Sequence, residues 1–248
     1  MYAEEKQYPS AASYASQYPR QLRRPAFRRV SSSAIKAVAP ELGNVAVEFI
    51  LQKIGDVGEG MYYTARKSTP KCPPSRLPRE IAVSMPSFAS EATPAPTHVL
   101  AVYSTPSALA KQRVLLHSIH ALILAATCAN LPPLPYSTPA RGPSTVTLPV
   151  IPLSIPSPEM FGALLEYLYT FDTDALICSL LPVSNAGNGI PPPDVMASKL
   201  QANPKSIPGC LARIHGLYND VCALGVFDEK LWRTIEAAWE VCWIAMGN

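Results

Sequence analysis

Charge is scarce in this sequence. Asp, Glu, Lys and Arg make up 16% of its 248 residues, against roughly a quarter in an ordinary soluble domain. Metal-binding and disulfide patterns are missing as well. The six cysteines, Cys72, Cys128, Cys178, Cys210, Cys222 and Cys242, include no CxxC pair, which argues against a zinc site or a disulfide framework and for reduced, mostly buried thiols. Only four histidines are present, and no G-x-S-x-G, Walker loop, G-x-G-x-x-G or H-E-x-x-H occurs. No enzymatic activity and no cofactor are expected. His117, His120 and Cys128 are the sole enzyme-like grouping. A strand-to-helix boundary is expected between the two histidines, and no carboxylate is near, so neither a metal site nor a Cys–His nucleophile pair is favoured. The longest apolar run, Val114 to Leu131, carries two histidines and a serine and reads as buried rather than membrane-spanning. The first residues lack an apolar h-region, so no secretory signal is expected.

Proline is abundant instead, at 27 residues. Eleven fall before residue 100 and none in the last 40, and one core domain with long irregular segments is expected. Charge is also uneven. Residues 1–92 hold 13 Lys and Arg against 8 Asp and Glu, and residues 93–248 hold 8 against 10, so any pull toward nucleic acid or an acidic partner must come from the N-terminal part. Residues 1–34 lack periodic apolar content and read as disordered. Within them Arg20, Arg23, Arg24, Arg28 and Arg29 cluster ahead of Ser31. A short helix is expected at residues 40–54, stopped by "GDVGEG". Residues 64–96 read as a linker holding an isolated strand, Ile81–Met85.

From Thr97 the texture changes. "HVLAVYS" and "RVLLHS" read as strands, and His120–Asn130 as a helix. Thr145–Ile151 alternates like a strand, but Pro149 and Pro152 predict an edge or irregular position. A helix follows, with Ser157 at the N-cap, Pro158 in the first turn and Phe161, Leu164, Leu165 and Leu168 on its apolar face. Residues 182–206 read as a loop insertion. Helices are expected over Pro208–Leu224 and Glu229–Met246. The fold class is α+β: a largely disordered extension over 1–96, then a domain over 97–248.

"HALILAATC" resembles the first-helix signature of BTB/POZ domains at His120, Leu124 and Ala125. "PSPEMFGALLEYLYTFD" is similar to a second segment of that family at Phe161, Leu164, Leu165, Tyr167, Leu168, Tyr169 and Thr170, with Phe171 standing where glycine is usual. The resemblance implies a small sheet with a helical cluster, a protein-interaction role, and self-association through the first helix, with Ile81–Met85 as a candidate exchanged strand. The whole chain also resembles the clampless-type proteins of mushroom-forming fungi, carried by the stretch from "RRPAFRRVSSS" to "MYYTARKS". That resemblance implies a regulator of sexual development downstream of mating-type genes, in nucleus or cytoplasm. A cullin-ligase adaptor and a DNA-associated regulator remain as alternatives.

The arginine cluster fits a solvated tail, an import signal or a phosphate-binding patch. "RRVS" has the form accepted by basophilic kinases, with Ser31 as acceptor. Trp232, Trp239 and Trp243 share the last helix. Trp239 is expected in the core, and Trp232 or Trp243 is the candidate exposed anchor for a protein partner.

Overall fold

The computed structural model describes residues 17–70, 77–86, 94–104, 114–138, 144–184 and 189–247. Cys72, Gly187, the turn at 105–108 and the expected strand start at Arg113 lie outside them. The chain divides into two compact units. One comprises Pro25–Asp172 with Asn219–Asp228, the other Met1–Arg24, Thr173–Tyr218 and Glu229–Asn248. The division does not fall at residue 96, where composition changes. Prolines there mark connections between elements that share one sheet.

The larger unit opens with α1 (Ser32–Val38), a 3-10 turn (Pro40–Leu42) and α2 (Val47–Lys67). Strands β1 (Thr69–Pro70), β2 (Glu80–Ser84), β3 (His98–Tyr103) and β4 (Leu115–Ile119) follow, then α3 (Ala121–Thr127), β5 (Thr145–Ser154) and α4 (Pro158–Thr170). The sheet order is β1-β2-β5-β3-β4. β3 and β4 are antiparallel, and β5 runs parallel to β3 and antiparallel to β2. The unbroken apolar run of β3 matches its burial on both faces. Ile81, Val83, Val99, Ala101, Val146, Leu148 and Val150 form a core cluster from three strands. The α+β class expected from the sequence is present.

Three expectations need correction in this unit. The expected isolated strand over residues 81–85 is β2, paired along its length with β5. β5 is not an edge strand. It lies in the middle of the sheet, but residues 145–149 ladder onto β2 and residues 150–154 onto β3, with the Val150 N–H at the changeover donating to the Arg79 carbonyl at 2.8 Å. Each half therefore has one hydrogen-bonded side, and a proline nitrogen facing the other side costs no ladder bond. The helix expected to stop at "GDVGEG" continues through it to Lys67. Gly58 is there because α2 crosses α4 closely: a Cβ at residue 58 would lie 1.9 Å from the Tyr169 carbonyl oxygen.

α4 starts with Pro158 and Glu159 in its first turn and ends at Phe171, whose φ of 53° is left-handed. Phe171 thus adopts, at some cost, the conformation that glycine takes freely. Ser157 occupies the N-cap, but its side chain makes no capping bond. The fully buried Asp220 replaces it, its Oδ1 accepting the Ser157 N–H at 2.8 Å.

The smaller unit is helical: α5 (Thr173–Leu180), α6 (Pro193–Ala202), the first part of α7 (Ile207–Leu224) and α8 (Glu229–Ala245). The loop expected over 182–206 holds α6. Its prolines begin the helix, with Pro193 and Asp194 in the first turn, and Met196, Ala197 and Leu200 are buried. Gly225, with φ 65°, lies directly beyond α7. No helix among the described residues is long and apolar enough to cross a membrane.

The α2–α4 crossing yields a paired expectation. Gly58→Ala should destabilise the protein by about 1–3 kcal/mol through backbone overlap. Gly55→Ala, whose Cβ would meet nothing closer than 4.0 Å, should stabilise by up to about 1 kcal/mol through helix propensity. Thermal unfolding of the two variants checks this; equal effects would rule out the close approach.

Candidate interaction surface

The last helix carries a repeat that is visible once its surroundings are known. "EKLW", "EAAW" and "EVCW" place Glu229, Glu236 and Glu240 each three residues before Trp232, Trp239 and Trp243. Residues three and four apart neighbour each other on a helix surface, so carboxylates and indoles form a mixed ladder along α8. The N-terminal arm lies on it. Arg20 makes a two-pronged bond to Glu240, Nη1 to Oε2 at 2.6 Å and Nη2 to Oε1 at 2.9 Å, while its guanidinium sits 5.2 Å from the Trp243 ring centre. Arg24 grips Glu236 through Nε at 2.7 Å and Nη2 at 2.8 Å. Its Nη1 donates to Glu229 at 2.6 Å, and it lies 5.9 Å from the Trp232 ring centre. Each guanidinium meets carboxylate in its plane and indole beside it, the pairing for which arginine's flat fork is suited.

The arm backbone is held too. The Trp239 indole N–H donates to the carbonyls of Pro19 and Arg20 at 3.2 Å, and the Tyr218 hydroxyl donates to the Arg23 carbonyl at 2.9 Å. The Tyr18 ring meets His215 and Trp239 edge-on, and Leu22 is buried. The arm runs opposite to the helix, Arg20 near its C-terminal end and Arg24 near its start. The hydrogen bonds to arginine hold the Glu229 and Glu240 carboxyls below the usual range, and the bonds to the carboxylates raise Arg20 and Arg24.

This changes the reading of several residues. Residues 17–34 of the segment expected to be disordered are ordered, where Arg20 and Arg24 meet acidic partners far along the chain; residues 1–16 lie outside the described residues. Trp232 and Trp243 are not exposed anchors: each is 3% accessible, with an arm guanidinium beside it. Trp239 is buried as expected, at 2%. The five arginines do not stay together. Arg28 donates to Asn130 at 3.3 Å, and the side chains of Arg23 and Arg29 make no hydrogen bond or ion pair among the described residues. Ser31 is the exposed N-cap of α1, its Oγ accepting the Ser33 N–H at 3.2 Å. The sequence reading missed Tyr18, Tyr218 and the three glutamates; the threefold Glu-x-x-Trp spacing was the available signal.

The residues that carry the BTB/POZ resemblance are interior. Leu124, Phe161, Leu164, Leu165, Tyr167 and Tyr169 are buried. His120 is buried with Nε2 2.9 Å from the Pro94 carbonyl and Nδ1 2.9 Å from the Tyr169 hydroxyl. A carbonyl only accepts, so Nε2 bears the proton and Nδ1 accepts from Tyr169. The Tyr169 oxygen in turn accepts the His120 backbone N–H at 2.8 Å. Burial pulls His120 down to about 4. His117 sits apart, edge-on to Phe161, and shares no ligand geometry with His120. Burial pushes the Cys128 thiol up to about 12, far from a thiolate nucleophile. No group of three metal-ligating side chains occurs among the described residues. Cys128, Cys178, Cys210, Cys222 and Cys242 are all free thiols.

Two measurements test these geometries. All three tryptophans of the chain lie on α8, so arm release is read directly by emission. Arg20→Ala/Arg24→Ala should red-shift emission while helical circular dichroism is kept. High salt, which screens exposed ion pairs, should move the wild type the same way, and unchanged emission in the variant would exclude the clasp. The second measurement is a stability profile against pH. His120 has a folded pKa below its unfolded value, so its contribution is lost as pH falls from about 6.5 toward 4. Asp220 is pushed up to about 7 by burial, so its contribution is present below about pH 3.9 and lost as pH rises through 7. Asp220→Asn should remove the loss between about pH 4 and 7; a slope equal to the wild type's would contradict it.

Two family models match the chain. Residues 25–156 match the clampless protein 1 N-terminal domain and residues 174–248 match the clampless protein 1 C-terminal domain. The two matches begin close to where the compact units divide, at Pro25 and Thr173. No curated protein and no solved structure matches the chain.

Proposed function

The chain belongs to the clampless protein 1 family, and from that premise we propose that it regulates fungal sexual development by binding other proteins. Its place is in clamp formation, within the mating-type pathway. The observation that carries the protein-binding part is the ladder on α8. Buried tryptophans flanked by carboxylates, holding an irregular arginine-bearing segment, have the chemistry by which peptides are recognised. The BTB/POZ-type reading belongs to the same proposal. His120, Leu124, Phe161 and Tyr169 are buried joints, which supports a scaffold role for them and leaves binding to surfaces elsewhere.

Nuclear import is proposed to use Arg23, Arg28 and Arg29, since Arg20 and Arg24 have carboxylate partners. The same neutralisation weighs against direct DNA contact, which depends on counting free cations. Deleting the gene in a clamp-forming fungus tests the proposal. The deletion strain should lose clamps and regain them with the wild-type chain. Normal clamps and mating in the deletion strain would refute the reading.

A further inference from the structure

The arm on α8 is bound as a ligand is bound. It contributes no helix and no strand among the described residues between Gln17 and Val30. It is held by side-chain forks, ring faces and three bonds to its carbonyls. Its seven residues from Tyr18 to Arg24 end where the chain passes to the other compact unit, at Pro25. The groove therefore recognises a pattern, Tyr-Pro-Arg-x-x-x-Arg, rather than a place in the chain. Tyr18 meets Trp239 and His215, the Pro19 carbonyl meets the Trp239 indole, and the two arginines span the repeats.

We propose that the Glu-x-x-Trp face of α8 is a docking groove for the Tyr18–Arg24 segment of a second copy of this chain, so that the protein self-associates by exchanging arms. The second copy is the occupant because its arm is the one segment whose fit to this groove is displayed, with three carboxylates matched to two arginines and three indoles covered. The arm in its own groove competes by tethering alone. A short tether gives an effective concentration in the millimolar range, which favours the closed form in dilute solution and exchange at high local concentration. This deepens the interaction-protein reading and supplies its self-association. That reading is tested by gene deletion, whose outcome does not depend on arm exchange, so the two fail separately.

Complementation between two full-length variants tests the exchange. Arg20→Ala/Arg24→Ala keeps the groove and loses the arm's grip; Glu229→Gln/Glu236→Gln/Glu240→Gln keeps the arm and loses the groove. Each alone should be monomeric by light scattering. Mixed on the order of 0.1 mM each, below the millimolar level set by a tether, they should form a one-to-one heterodimer that salt dissolves. Two monomers after mixing would overturn the proposal. Should either variant fold poorly, the synthetic peptide Gln17–Arg24 added to the Arg20→Ala/Arg24→Ala chain gives a second reading. It should blue-shift tryptophan emission saturably, whereas the same peptide with alanine at both arginines should not. A response to neither peptide would also overturn the proposal.

Discussion

Three tryptophans placed along one helix have to be kept from water, and much of the smaller unit follows from that. Burying indole on an amphipathic helix needs a cover, and the N-terminal arm supplies part of it with two guanidinium groups, a tyrosine and a leucine. Arginine suits the place because its face rests on indole while its edge donates to carboxylate. Glu229, Glu236 and Glu240 supply those acceptors from the same helix. The outer contacts are solvent-exposed ion pairs, which are individually weak and salt-sensitive. A cover of this kind is removable, unlike a core, and that property makes it usable for binding.

The larger unit rests on a different kind of contact, centred on Tyr169. Its hydroxyl donates to His120 Nδ1 and accepts the His120 N–H, which fixes the start of α3. Its carbonyl leaves no room for a Cβ at residue 58, which fixes the approach of α2. Asp220 then caps the other end of α4 through the Ser157 N–H. One helix is thereby located at both ends by buried polar bonds, where an unmade bond is costly. Two of the residues that resemble a BTB/POZ signature, His120 and Tyr169, are in these contacts, which fits a framework role.

Much of this was legible in the sequence. The alternation of β5, the Pro158 start and apolar face of α4, and the stripes of α7 and α8 are local patterns, and local patterns survive folding. Family resemblance was legible as well, and the two domain models bear out the clampless-type likeness. What was hidden depended on distant partners. "GDVGEG" read as a helix stop because glycine usually is one; only the backbone of Tyr169 explains why Gly58 belongs inside a helix. Pro149 and Pro152 suggested an edge, since one strand does not reveal that its two halves ladder to different neighbours. The arginines read as a solvated tail, an import signal or a phosphate-binding patch because the acids that Arg20 and Arg24 meet lie more than 200 residues away. Yet those acids were marked by a threefold Glu-x-x-Trp spacing, and a repeated acid-plus-indole pattern beside an arginine-rich arm is a pairing that sequence alone can propose.

The central claim is that Arg20 and Glu240 hold each other across that separation. A charge swap tests it most directly, with tryptophan emission as the readout. Arg20→Glu alone and Glu240→Arg alone should each red-shift emission by releasing this end of the arm, and the double variant Arg20→Glu/Glu240→Arg should restore emission toward that of the wild type. A double variant that shows the sum of the two single shifts would contradict the account.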